Sequence, residues 1–125
     1  MLFHLHTSER DGWSVVAVGG DLDLTSAPQL RTEVVALVAR GATRVVLDLA
    51  GVEFCDSTGL GAVIGALKRV RSHDGELRLA APSPPIHRLL ELTRLDRALP
   101  TYSTVDAAVA APVEDASATT RPGVA

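Results

Sequence analysis

Between residues 43 and 95 the sequence alternates apolar runs typical of strands with segments of helical periodicity. The run "TRVVLDLAGV" is rich in Val and Leu at neighbouring positions, as expected for a strand that is buried on both faces of a sheet. A helix is predicted from Ser57 to about Ser72, then a strand at "ELRLAA" and a helix at "SPPIHRLLELTRL" with proline in its first turn. Because strand–helix–strand crossovers are right-handed and join parallel strands, this alternation predicts a mainly parallel sheet.

The flanking segments extend this sheet. "LFHLHTSER" and "WSVVAVGG" are predicted as two strands joined by a turn between Arg10 and Gly12, which makes an antiparallel hairpin. A helix is predicted to start at Ser26, which has capping-box spacing to Gln29, and to end at Gly41. "ALPTYST" and "VDAAVAA" predict a short last strand and a short terminal helix. The expected fold class is α/β, with helices packed on a mixed, mainly parallel sheet of four to five strands.

The composition of the chain argues against several classes of protein. The 125 residues suffice for one domain, and the formal charge of -3 with only 3% aromatic residues argues against binding to nucleic acid. No apolar run is long enough to span a membrane, the N-terminus does not resemble a secretory signal, and the single cysteine, Cys55, excludes a disulfide framework. We therefore expect a cytoplasmic protein with a domain over residues 1–111 and a disordered tail over residues 112–125, which contain few apolar residues.

The stretch "CDSTGLGAVIG", residues 55 to 65, places glycines inside a helix, where each costs about 1 kcal/mol relative to alanine. At 100° per residue, one arc of this helix is apolar and is predicted to face the sheet: Leu60, Val63, Ile64, Leu67 and Val70. The opposite arc is nearly flat: Thr58, Gly61, Ala62, Gly65 and Arg69. We interpret it as a surface that another backbone approaches closely. Two simpler explanations stay open, in which Asp56 and Ser57 only cap the helix and the glycines pack against a neighbouring helix.

Three segments carry a family resemblance: "GGDLDLTSAPQLR", "VVLDLAGVEFCDSTGLGAVIGALKR" and "IHRLLELTRLD". In order and spacing they resemble STAS-domain anti-sigma factor antagonists of bacteria, from about residue 3 to residue 110. The combination of G-x-[LI]-D before the first helix with D-S-[ST]-G-L-G at the start of the second is the specific part. Two departures are the Gly20–Asp21 pair in place of the commoner Gly-Glu, and Cys55 in place of an apolar residue, where it would pack as a small hydrophobe. The resemblance implies a small STAS-type sandwich.

The resemblance also implies a phosphorylation switch without catalysis by this chain. In the family, the serine after the motif aspartate is phosphorylated by an anti-sigma factor that is itself a serine kinase, and a phosphatase reverses this. The unphosphorylated antagonist binds the anti-sigma factor and frees a sigma factor. The matching residue here is Ser57, with Thr58 as a secondary candidate. The predicted partner-binding residues are Asp21, Asp23, Asp56, Ser57, Thr58, Gly59, Gly61, Ala62 and Gly65. No cofactor, metal, direct nucleic-acid contact or membrane contact is expected.

Other functions fit the sequence less well. A hydrolase elbow G-x-S-x-G would need glycine where Cys55 stands, and no histidine can be assigned as the base for Ser57. His4 and His6 would share a strand face, but two ligands without further partners are typical of exposed histidines rather than of a metal site. The remaining alternative is a STAS-type scaffold or signalling module that binds its partner without control through Ser57.

Overall fold

A computed structural model describes residues 2–113 of the chain. The strands and helices in this part are β1 (His4–Arg10), β2 (Trp13–Leu22), α1 (Ala27–Ala39), β3 (Arg44–Cys55), α2 (Ser57–Arg71), β4 (Glu76–Ala80), α3 (Pro84–Leu92), β5 (Thr101–Tyr102) and α4 (Val105–Ala110). A turn of 3-10 helix (Leu95–Arg97) joins α3 to the last strand. Beyond Val113, the predicted tail lies outside the described residues.

The strands form one five-stranded sheet in the order β1-β2-β3-β4-β5. The β1–β2 pair is antiparallel and every other pair is parallel, which confirms the predicted mixed α/β sheet and its opening hairpin. Gly41, with φ of +95°, follows the end of α1 in the left-handed conformation that its position predicts. The predicted capping box is wrong. Ser26 is the N-cap residue, but its hydroxyl donates to the carbonyl of Asp21 instead of capping the helix.

The helices cover the two faces of the sheet unequally. Helices α1, α2 and α3 pack on one face and enclose the larger core, whose strand residues include Val16, Leu47 and Leu79. The short helix α4 covers part of the other face, where Trp13 and Val46 are buried beside it. Consecutive residues of β2 and β3 therefore point into two different cores, which explains why both strands are apolar at neighbouring positions.

Arg78 is a charged residue in the smaller core and is only 1% exposed. Its guanidinium binds the Glu76 carboxylate at 2.7 Å and lies 4.3 Å from the centre of the Trp13 ring. The same group donates hydrogen bonds of 2.5–2.9 Å to the main-chain carbonyls of Ala108, Ala111 and Pro112. These contacts fasten the C-terminal segment, including the first residue of the predicted tail, to the face of the sheet opposite α2.

We expect Arg78→Ala to lower the free energy of unfolding by about 3 kcal/mol, because three carbonyls and one carboxylate would lose a charged donor. Urea denaturation followed by circular dichroism measures this loss. Arg88→Ala, at an exposed position of α3, is the control and should change stability by less than about 0.5 kcal/mol. Equal effects of the two variants would contradict the fastening role of Arg78.

Candidate functional site

The residues of the candidate site come together at the carboxyl edge of the paired strands β2 and β3, where ligands of parallel sheets typically bind. β2 and β3 run side by side to their last residues, with Leu22 paired to Cys55. The main-chain N–H of Asp56 then donates to the carbonyl of Leu22 at 3.3 Å. This contact brings the loop before α1 next to the start of α2, so that the two predicted motif segments form one surface.

Two register shifts in the β2–β3 pair shape this edge. Pairing slips between Ala17 and Gly19 and again between Gly20 and Asp21. As a result Leu49, Val52 and Cys55, spaced by three residues instead of two, all pack on the same core. Phe54, which pairs with Asp21, is left on the surface with 52% of its area exposed. Sequence reasoning ended the strand at Val52 and therefore missed this aromatic side chain.

Helix α2 begins with an aspartate cap. The Oδ1 atom of Asp56 accepts from the main-chain N–H of Gly59 at 2.8 Å, which confirms the capping interpretation for this residue. Gly59 is buried against the end of β2, where an added Cβ would overlap the carbonyl oxygen of Leu22. This glycine is therefore required for the close approach of α2 to the sheet, and it does not form part of an exposed face.

Ser57 is the first residue of α2 and is exposed. Leu60 donates the first hydrogen bond of the helix, to the carbonyl of Asp56 at 2.9 Å. The N–H groups of Ser57 and Thr58 therefore lie in the part of the first turn that has no partner within the helix. Such N–H groups, at the positive end of the helix dipole, bind anions readily. Thr58, the next residue, is half-buried.

The loop between β2 and α1 is held by Asp23. Its Oδ1 atom accepts from the hydroxyl of Thr25 at 2.7 Å and from the main-chain N–H groups of Thr25 and Ser26. These hydrogen bonds, that from the Thr25 hydroxyl above all, lower the pKa of the Asp23 carboxyl. Asp23 is therefore a carboxylate at neutral pH. Together with the half-buried Asp21 and Asp56 it makes this end of the molecule acidic.

The outer face of α2 agrees in part with the prediction. A Cβ atom added to Gly61 or to Gly65 would meet no atom within 4 Å apart from the adjoining residues and backbone of its own helix, so packing within the chain does not require either glycine. The prediction was wrong for Ala62, which is fully buried in the larger core. The helix turns its small residues Ala62 and Ala66 inward beside α1, and Leu60 and Ile64 are in consequence only half-buried.

Cys55 lies between the surface and the core. Its side chain packs against the larger core, as predicted for a small hydrophobe. Burial, reinforced by the neighbouring charge of Asp56, raises the pKa of the Cys55 thiol to about 11. The thiol is therefore neutral at physiological pH and contributes apolar contact rather than a reactive sulfur atom.

Two exposed apolar side chains border the site and were not predicted. Leu24, in the loop that Asp23 holds, is 69% exposed, and Phe54 stands at the end of the neighbouring strand. Single exposed hydrophobic residues are ordinary, but these two lie in the two segments that meet at the start of α2. The sequence signal for Leu24 is an apolar residue inside a polar loop, "DLDLTS".

The histidines are spread over three parts of the chain, with His4 and His6 together on one face of β1. The ring of His4 lies over Gly19, His87 is 3.7 Å from Glu91 on α3, and His73 follows the end of α2 beside Ser72. No group of three or more His, Cys, Asp or Glu residues that could hold a metal ion occurs within residues 2–113. Over the same residues, every helix is too short or too polar to cross a lipid bilayer.

The chain as a whole is similar to known proteins of one family. The model of the STAS domain matches residues 4–108. The chain is 35% identical over 95 residues to the anti-sigma-B factor antagonist of Staphylococcus aureus, covering 76% of this chain and 88% of the relative. It is 30% identical over 103 residues to the anti-sigma F factor antagonist of Paenibacillus polymyxa, covering 82% and 88% of the two chains. The crystal structure of an anti-sigma factor antagonist from Mycobacterium paratuberculosis superposes with a TM-score of 0.78 at 33% identity, covering 86% and 92%.

The glycines of α2 should separate into two classes on substitution. Gly61→Ala and Gly65→Ala should each raise the free energy of unfolding by about 0.5–1 kcal/mol, because alanine favours the helix and its methyl group meets open space. Gly59→Ala should lower it by about 2–3 kcal/mol, because its methyl group would overlap the end of β2. Urea denaturation measures all three. Destabilisation by Gly61→Ala comparable to that by Gly59→Ala would show that the outer face is packed.

Proposed function

This chain belongs to the STAS domain family, and we propose that it acts as an anti-sigma factor antagonist controlled by phosphorylation of Ser57. In its unphosphorylated form it binds a cytoplasmic anti-sigma factor that has serine kinase activity and thereby releases a sigma factor. Phosphorylation of Ser57 by that kinase ends binding, and a serine phosphatase restores it. The chain contributes a binding surface and no catalysis, because the kinase supplies the base, the metal and ATP.

The observation that carries the proposal is the position of Ser57. The side chain is exposed at the first position of a helix, where a kinase can reach it without unfolding the domain. A phosphate there would add roughly -1.5 to -2 charges beside the free N–H groups of the first turn. Because the positive end of the helix dipole favours an anion, phosphorylation should leave the fold intact. Phosphorylation would therefore change the affinity for the partner and not the stability of the domain.

The charge of this surface determines how strongly phosphorylation would weaken binding of the partner. Asp21, Asp23 and Asp56 lie at this end of the domain, so a phosphate on Ser57 would add its charge to a surface that is already rich in carboxylates. An additional dianion that is buried without compensation costs about 2–5 kcal/mol. At about 1.4 kcal/mol per tenfold change, the affinity would fall between roughly 30-fold and several thousandfold.

The surrounding surface supports close approach by a partner. Gly61 and Gly65 leave the outer face of α2 flat, and their cost in helix stability is not offset by packing within the chain. Leu24, in the loop before α1, and Phe54, near the end of β3, add exposed apolar area in the two segments that meet at the start of α2. Among the residues that the sequence assigned to the interface, Gly59 and Ala62 are buried and would support this surface from beneath rather than touch the partner.

A STAS-type scaffold that binds through the same face without phosphorylation is the second candidate. It would retain the open glycines and the exposed Phe54 but would not need an accessible serine at the helix start. The two candidates differ in one observable, which is whether Ser57 carries phosphate after exposure to the host's kinases. Thr58 is the secondary acceptor, and its half-buried side chain makes it less accessible than Ser57.

Incubation with ATP and a lysate of the native host should add one phosphate to Ser57, seen by intact mass and peptide mapping and absent from Ser57→Ala. With the kinase captured on Ser57→Ala as bait, calorimetry should find native affinity for Ser57→Ala and at least about 30-fold weaker binding for Ser57→Asp. Both variants should unfold at the wild-type temperature. An unmodified Ser57 in an active lysate would favour the scaffold, and native binding by Ser57→Asp would refute the switch.

Phe54→Ala should weaken binding of the same kinase at least fivefold, because an exposed aromatic residue near the centre of an interface contributes more than about 1 kcal/mol. Its stability should change little, since the ring is half-exposed in the free domain. Leu92→Ala is the matched control, because Leu92 is 74% exposed at the end of α3. If Leu92→Ala weakens binding as much as Phe54→Ala, the partner does not centre on the Ser57 edge.

A further inference from the structure

A shallow groove runs along the outer surface between α1 and α2. Its cavity volume is about 120 Å³. Its lining consists of Arg31, Val34, Val35, Gly65, Ala66 and Arg69. Val34 and Ala66 are almost completely buried and form an apolar floor, whereas Val35 is 40% exposed at the rim. The groove is small enough for a single aliphatic side chain.

The two arginines give the groove a definite charge. Arg31 and Arg69 are exposed, and neither forms an ion pair or a side-chain hydrogen bond within residues 2–113. Two uncompensated guanidinium groups beside an apolar floor are complementary to a carboxylate next to an aliphatic side chain. Gly65 leaves its part of the groove open, because no atom outside its own helix lies within 4 Å of where its Cβ would be.

We infer that this groove binds an acidic segment of the partner, in which an aliphatic side chain enters between α1 and α2 and flanking carboxylates pair with Arg31 and Arg69. The identity of the partner rests on the proposed function, whereas the chemistry of the segment rests on the groove alone. Gly65 lines the groove and also lies on the open outer face of α2 with Gly61, so the groove continues that face.

The opposite charges of the two surfaces would fix the orientation of the partner. The edge around Ser57 is acidic, through Asp21, Asp23 and Asp56, and the groove is basic. A partner with a basic patch facing the first and an acidic segment facing the second would be matched in only one orientation. Reversal of the groove's charge would then slow association and reduce its dependence on salt, because steering acts through such long-range fields.

The test uses NMR spectroscopy of the 15N-labelled chain with a synthetic amphipathic peptide of Glu, Leu and Ala, and a matched peptide in which every Glu is Lys. The acidic peptide should shift the amide signals of Val35, Gly65 and Ala66, and the basic peptide should not. The shifts should disappear in the double variant Arg31→Glu/Arg69→Glu. They should persist in Arg88→Glu/Arg97→Glu, which changes net charge equally at exposed positions outside the groove. Absence of shifts at the groove, or equal shifts with both peptides, would overturn the inference.

A second measurement connects the groove to the partner. Stopped-flow association with the kinase captured on Ser57→Ala should be at least about tenfold slower for Arg31→Glu/Arg69→Glu than for Arg88→Glu/Arg97→Glu at low salt. Native rates for the groove variant would overturn the role of the groove in this complex. The peptide titration does not involve Ser57, so an unphosphorylated Ser57 would refute the proposed switch without affecting the result for the groove.

Discussion

The parallel pairing of β2 with β3, buried on both faces, is the constraint on which the rest of the structure depends. It requires apolar side chains at consecutive positions, and it obliges α1 to cross over one face before β3 can begin. It also makes both strands end at the same edge. The loop with Asp23 and the start of α2 with Ser57 are 34 residues apart in sequence, and they meet because the strands before them are paired.

The glycines of helix α2 fall into two classes, one that the fold requires and one that it does not. Gly59 allows the first turn to approach the end of β2, and it is needed for the fold. Gly61 and Gly65 face open space and weaken the helix without an internal benefit. Residues that lower stability in this way are typical of functional surfaces, where a requirement for binding outweighs the local preference of the chain.

Charge is distributed along the helical layer in a way that suits a reversible interaction. The acidic end lies at the start of α2, where backbone N–H groups of the first turn can donate hydrogen bonds to an anion. The basic groove lies further along α1 and α2, so a change of charge at Ser57 alters one part of the surface and leaves the other unchanged. On the opposite face of the sheet, the charged side chain of Arg78 has a structural role. It is buried, and its hydrogen bonds hold the C-terminal segment on the sheet.

The sequence by itself determined the order of strands and helices, the mixed sheet and the helix start with Asp56 and Ser57, because these depend on local periodicity, capping chemistry and the handedness of crossovers. Tertiary structure decided the rest. The two register shifts that expose Phe54 result from strand pairing, and the inward rotation of Ala62 results from the packing of α1 beside α2. The loop before α1 places the Asp21 carbonyl beside the hydroxyl of Ser26, so the hydroxyl donates to this carbonyl and does not cap the helix. Arg78 is buried beneath a C-terminal segment whose carbonyls accept its hydrogen bonds. Arg31 and Arg69 line one groove because α1 and α2 lie side by side. Contacts between residues far apart in sequence have no local pattern, so they become visible only when the chain is folded.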